Sequence, residues 1–137
     1  RSELIIDDEP INYPSVRRPD FVLAMSQQAC DRYYADIREN GILLVDPRFV
    51  HRLPENRKNV YSLPMTQLAE DVTGKTIAAN VVAIGAIAVL SGVIDTALVQ
   101  RAVQEHFAPK LQASNDKAFS AGAAAAEKLR KTGGSLA

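Results

Sequence analysis

"TIAANVVAIGAIAVLSGVI", Thr76 to Ile94, runs for nineteen residues without a charge, between Lys75 and Asp95. The fold depends on what surrounds it. A helix needs about 20 apolar residues to cross a bilayer. This stretch also holds Thr76, Asn80, Ser91, Gly85 and Gly92. A helix starting near Ala78 stops at Gly92, because Gly just past the last turn is a common C-cap. That leaves about 14 residues, or about 21 Å at 1.5 Å per residue, which is short of a bilayer. No aromatic residue marks either end as an interfacial belt would. A helix apolar on every side is therefore covered by protein on every side. The cover is either the chain's own core or a second chain, which the small Ala83, Gly85, Ala86 and Ala88 would let approach closely. Leaving Val82, Val89 or Leu90 in water forgoes about 1.5–3 kcal/mol each. The expectation is one helix, Ala78 to Ser91, with its outer face buried by another chain. Asn80, Val82, Gly85 and Val89 are the interface candidates.

The flanking sequence says what the helix packs on. "SELIID", Ser2 to Asp7, alternates weakly and reads as a strand. "DFVLAM", Asp20 to Met25, and "ILLVD", Ile42 to Asp46, are unbroken apolar runs, as expected of strands buried on both faces. "VYSLP", Val60 to Pro64, reads as a fourth strand. Ser26 is a natural N-cap. The helix it opens carries Ala29, Cys30, Tyr33 and Ile37 at helical spacing and is expected to close at Gly41. "MTQLAEDV" makes a short helix ending near Gly74. Asp95 caps a helix that places Ala97, Leu98, Val99, Ala102, Val103 and Phe107 largely on one face and ends at Pro109. A last helix starts at Asn115 or Asp116 and ends at Gly133 and Gly134. Its alanines favour helix but leave little to bury, so it either lies along another surface or frays. Apolar strands alternating with helices predict a three-layer α/β/α fold with a mostly parallel sheet and a helical C-terminal third.

The 137 residues suffice for one domain, and sixteen acids balance sixteen bases. Zero net charge gives no electrostatic footprint for nucleic acid or an anionic membrane. The single cysteine, Cys30, forms no internal disulfide, so a reducing cytoplasm is the simplest compartment. The chain opens on Arg1 rather than Met, which reads as a processed end or the start of a fragment. Candidates for chemistry are few. His51 and His106 lie far apart, one in a loop and one near a helix end. Cys30 has no second Cys to share a metal and sits on a core face. The acidic turn Asp7–Pro10 and the adjacent Arg17 and Arg18 read as solvated loops. No G-x-G-x-x-G and no P-loop is present. In open parallel sheets ligands gather at the carboxyl ends of strands. Ser26 and Gln27 stand at such an end and at a helix N-terminus, where free amides could hold an anion or a carbonyl. A plain N-cap is the bland alternative. No catalytic residue and no metal ligand is assigned.

Taken in order, "SELIIDDEPINYPSVRRPDFVLAMSQQACDRY", "NGILLVDP" and "KTIAANVVAIGAIAVLSGVI" with an amphipathic helix after it resemble the gamma subunit of the 2-oxoacid:ferredoxin (acceptor) oxidoreductases. The resemblance runs from Ser2 to about Phe107. Its most specific pieces are Ile11, Tyr13 and Pro14, then Pro19-Asp20 leading to Ser26-Gln27, then Ala79-Asn80 with Gly85 and Gly92. The resemblance implies a complex that oxidatively decarboxylates a 2-oxo acid to an acyl-CoA. Thiamine diphosphate and iron–sulfur clusters would be held by partner subunits and none by this chain. CoA would approach Ser26 and Gln27. The family's opening glycine-rich strand-turn and its Tyr-Gly-Pro-x-x-Arg-Gly-Gly segment have no match, so the chain reads as a single gamma-type domain without them.

The expected function is that of a gamma subunit, inactive alone, with a homodimer as one form of the isolated chain. Overall resemblance leans to 2-oxoglutarate as the oxo acid. Two alternatives from other classes stand beside it: a free-standing small-molecule or nucleotide-binding α/β module, and a purely structural assembly domain. A binding module would be monodisperse alone and take ligand without partners. A subunit would recruit larger chains.

Overall fold

The computed structural model describes residues 1–13 and 15–133. Pro14, one of the residues that carry the resemblance, and Gly134, expected at the end of the last helix, lie outside them. Three strands form a wholly parallel sheet in the order β1-β2-β3: β1 Phe21–Ala24, β2 Ile42–Val45 and β3 Val60–Ser62. Phe21 pairs with Ile42 and Leu43 with Val60. The helices are α1 Gln27–Tyr33, α2 Met65–Thr73, α3 Ala79–Ser91, α4 Thr96–His106 and α5 Gln112–Thr132.

The unbroken apolar strands divide by their two-residue period. Phe21, Leu23, Ile42, Leu44, Tyr61 and Leu63 face a large core with α2, α3 and α5. Val22, Ala24, Leu43, Val45 and Val60 face a smaller core with Cys30, Ile37 and Val50. Successive side chains of a strand point to opposite faces, so a strand sandwiched between two layers must be apolar throughout. The α/β/α expectation holds.

The question set by Thr76–Ile94 is answered inside the chain. Helix α3 starts one residue later than expected, at Ala79 after a 3-10 turn over Thr76–Ala78, and stops at Gly92 in the left-handed conformation. One side packs on α2 and the sheet, and α5 covers the other. The two helices touch backbone to backbone. A Cβ on Gly85 would stand 2.3 Å from the Phe119 carbonyl oxygen, and one on Gly122 would stand 1.9 Å from the Val82 carbonyl oxygen. Only glycine fits either place. Alanine in a helix interior is worth about 1 kcal/mol over glycine, and here the close approach outweighs it. The alanine-rich α5 is thus no frayed tail. Its Asn115, Ala118, Phe119, Gly122, Ala126 and Leu129 form one buried stripe.

Several expectations are corrected. Val82, Gly85 and Val89 are buried within the chain itself, so none has a face left for a partner. Of the four interface candidates only Asn80 is exposed. Ser2–Asp7 forms no strand: no neighbouring strand pairs with it, and Leu4 and Ile6 stand in solvent. Helix α1 ends at Tyr33 rather than near Gly41. A 3-10 turn, Tyr34–Asp36, comes next, and Ile37 leaves the helical path to enter the smaller core. Gly41 lies in the next turn, where a Cβ would meet Ile37 Cγ2 at 2.5 Å and the Asp20 carbonyl oxygen at 3.0 Å. Helix α5 starts at Gln112, after the 3-10 turn Pro109–Leu111. Val99 and Val103 of α4, and Phe107 just past its end, point inward, whereas Leu98, Ala97 and Ala102 face solvent. No helix among the described residues is long and apolar enough to cross a membrane.

Candidate functional site

Polar groups collect at the carboxyl ends of the three parallel strands. After β1 come Ser26 and Gln27. Ser26 caps α1 as expected, its Oγ accepting from the Ala29 amide at 3.1 Å. Gln27 is more heavily engaged. Its Oε1 accepts from the His51 and Arg52 amides, each at 2.9 Å, and its Nε2 donates to Asp31 Oδ1 at 2.8 Å and to the Arg52 carbonyl at 3.0 Å. A primary amide offers two acceptor lone pairs and two donor hydrogens. All four are used. Gln27 therefore has nothing left for an anion or for CoA; it fastens the loop 46–59 to α1. Ser26 is exposed, and its hydroxyl hydrogen has no acceptor among the described residues.

After β2 comes Asp46, the most deeply buried charged residue described. Helix α2 begins behind Pro64, which offers no side-chain cap. Asp46 supplies the cap from another element. Its Oδ2 accepts from the Thr66 amide at 2.8 Å and from Thr66 Oγ1 at 2.7 Å, and its Oδ1 accepts from the Arg48 amide at 2.9 Å. A carboxylate at a helix N-terminus also answers the helix dipole. Outside this centre Arg48 pairs with Glu70 of α2 at 2.8 Å, and Arg52 pairs with Asp31 of α1 at 3.0 Å.

The carboxyl edge is thus spanned by one loop, the segment that Asp46 opens beyond β2, tied to Gln27 and Asp31 beyond β1 and to Thr66 and Glu70 beyond β3. The sequence points to Ser26 and Gln27 but not to Asp46, Thr66, Asp31 or the two arginines. One signal was available: Asp46 directly follows a wholly apolar strand. The donors that satisfy it come from elsewhere in the chain, and spacing does not reveal them.

The remaining candidates scatter. His51 joins the edge through its backbone only, and His106 sits edge-on to Phe107 with ring centroids 5.1 Å apart. Cys30 is buried in the smaller core, where burial, then the charge of Asp31, raises its thiol pKa. No three His, Cys, Asp or Glu residues converge as a metal site among the described residues. Asp7 and Glu9 make a local turn. At the opposite, amino edge an open recess of about 510 Å³ is lined by Arg18, Asp20, Arg38, Glu39, Asn40 and Gly41. Its charges are mixed, and Arg38 is paired with Asp20 at 3.2 Å.

A family model described as "Pyruvate ferredoxin/flavodoxin oxidoreductase" matches residues 1–125. The 2-oxoglutarate synthase subunit KorC of Methanocaldococcus jannaschii is 35% identical over 131 residues, covering 94% of this chain and 70% of that protein. The subunit of the same name from Methanothermobacter marburgensis is 37% identical over 128 residues, covering 89% of this chain and 69% of that protein. Among solved structures, the gamma subunit of a keto/oxoacid ferredoxin oxidoreductase from Geobacter sulfurreducens superposes with a TM-score of 0.82 at 34% identity, covering 89% of this chain and 67% of that one.

Proposed function

The chain belongs to the pyruvate ferredoxin/flavodoxin oxidoreductase family, and we propose that it works as the gamma-type subunit of a multisubunit 2-oxoacid:ferredoxin oxidoreductase. The observation that carries this is the likeness to relatives that are themselves subunits of such enzymes, along nearly the whole chain and at the level of the fold. The geometry is consistent with it. The edge where an open parallel sheet would hold a ligand is bridged by the chain's own hydrogen bonds. In this reading thiamine diphosphate and iron–sulfur clusters are carried by partner subunits, which decarboxylate the oxo acid and pass electrons to ferredoxin. The names of the curated relatives favour 2-oxoglutarate as the oxo acid. Of the two positions expected to meet CoA, Ser26 is the one with a free donor, and it is where CoA would touch this chain.

Co-purification tests the reading. The tagged chain, co-expressed with its neighbouring subunit genes, is expected to bring down larger chains that carry thiamine diphosphate, read as thiochrome fluorescence, together with iron. A chain recovered alone and monodisperse from the same cells, with neither group in the eluate, would favour the free-standing module.

A further inference from the structure

The loop 46–59 joins β2 to β3 without a helix of its own, and only Asp46 and Val50 in it are buried. Everything else that holds it is polar and largely at the surface. The ties are the three hydrogen bonds of the Gln27 amide that reach the His51 and Arg52 backbone, the Arg52–Asp31 and Arg48–Glu70 ion pairs, and the bonds from Arg57 Nη2 to the Arg38 carbonyl at 2.8 Å and from Asn59 Nδ2 to the Asn40 carbonyl at 3.2 Å. Exposed ion pairs and hydrogen bonds exchange readily with water and add little stability singly. Beneath the loop lies the smaller core of Ala24, Cys30, Ile37, Leu43 and Val45, which Val50 helps to close. The larger core, with α3 and α5 interlocked, sits on the other side of the sheet. The loop has features of a movable piece. Pro47 and Pro54 stiffen its near part. Asn56 and Asn59 turn the chain at its far end, both in the left-handed region at φ 61° and 57°.

We propose that loop 46–59 is a polar-clamped strap that opens as its own unit, uncovering the carboxyl edge and the smaller core while the α3–α5 core stays folded. Gln27 is its clasp: one side chain fastens the strap at both the His51 and the Arg52 backbone. Proteins open sub-globally where buried apolar contacts are few and hydrogen bonds are exposed, and beyond Asp46, whose buried bonds to Thr66 anchor the strap's first residue to α2, the strap meets both conditions. The clamp belongs to the chain's own geometry and does not depend on which enzyme the chain serves.

Cys30 is a built-in reporter, being 1% exposed beneath the strap. The experiment measures iodoacetamide alkylation of Cys30 in the full chain, from zero to moderate urea. Circular dichroism reports global unfolding in parallel. In the wild type, alkylation at low urea is expected to be nearly independent of denaturant, as for a local opening. Gln27→Ala is expected to label at least tenfold faster, with the helical signal and its midpoint little changed. Gln27→Glu, which keeps both acceptors and loses both donors, should fall between. If wild-type alkylation tracks the steep urea dependence of global unfolding, or if Gln27→Ala folds and labels no faster, the strap is not a separate unit. Should Gln27→Ala fail to fold, the wild-type urea dependence alone decides between the two.

Discussion

The two faces of the sheet are closed by different physics. On one, α3 and α5 meet so closely that the Val82 and Phe119 carbonyls lie against Gly122 and Gly85, with no room for a side chain. On the other, α1 and a loop without secondary structure lie over the sheet, and the loop's own carboxylate and guanidinium groups and backbone are tied to Gln27 and Asp31 of α1 and to Thr66 and Glu70 of α2. The first face gains from area removed from water and from dispersion between closely packed atoms. The second gains from one buried carboxylate, Asp46, that would be costly to leave unmet, and only a little from each exposed tie around it. The first should therefore fail all at once, and the second piecemeal.

Three substitutions separate these behaviours. Val82→Asp should have the largest effect. Val82 is fully buried against α5, and an unpaired charge there costs several kcal/mol. The loss of the cooperative helical transition at 25 °C is the expected outcome. A folded, soluble variant that had merely lost a partner would restore the partner-facing reading of α3. Asp46→Asn should be intermediate. An amide cannot accept on both sides, so a donor of Arg48 or Thr66 is left unmet, at a cost of about 1–3 kcal/mol. Urea midpoints would show it, and an unchanged midpoint would mean that the carboxylate is not the cap of α2. Leu98→Ser should be smallest. The residue is exposed on the outer side of α4, and its loss should move stability by no more than about 0.5 kcal/mol.

Much of this was legible in the sequence. The alternation hidden inside apolar strands, Asp95 capping α4 through the Ala97 and Leu98 amides, and the glycine stops at Gly74 and Gly92 all arise from local chemistry. What covers α3 was not legible, for a specific reason. By side-chain size, the alanine and glycine of α5 count as little to bury. At a backbone-to-backbone crossing small residues are what permits burial: Ala118, Gly122 and Ala126 recur at helical spacing beside Phe119 and Leu129. The stripe, rather than the volume, is the signal. Gln27 was legible by position but not by role. Its saturation depends on His51 and Arg52, some 24 residues away in sequence. Ser2–Asp7 failed in the opposite sense, because a strand pattern without a neighbouring strand makes no ladder.

The measurement that bears most directly on the proposed role is an omission assay. The complex is reconstituted from purified subunits with and without this chain, and reduction of a viologen dye is monitored with CoA and either 2-oxoglutarate or pyruvate. Turnover is expected only when the chain is present, faster with 2-oxoglutarate, and absent for the chain alone. Full activity from the complex lacking the chain, or turnover by the isolated chain, would contradict the role of a subunit that the enzyme needs but that carries none of its redox chemistry.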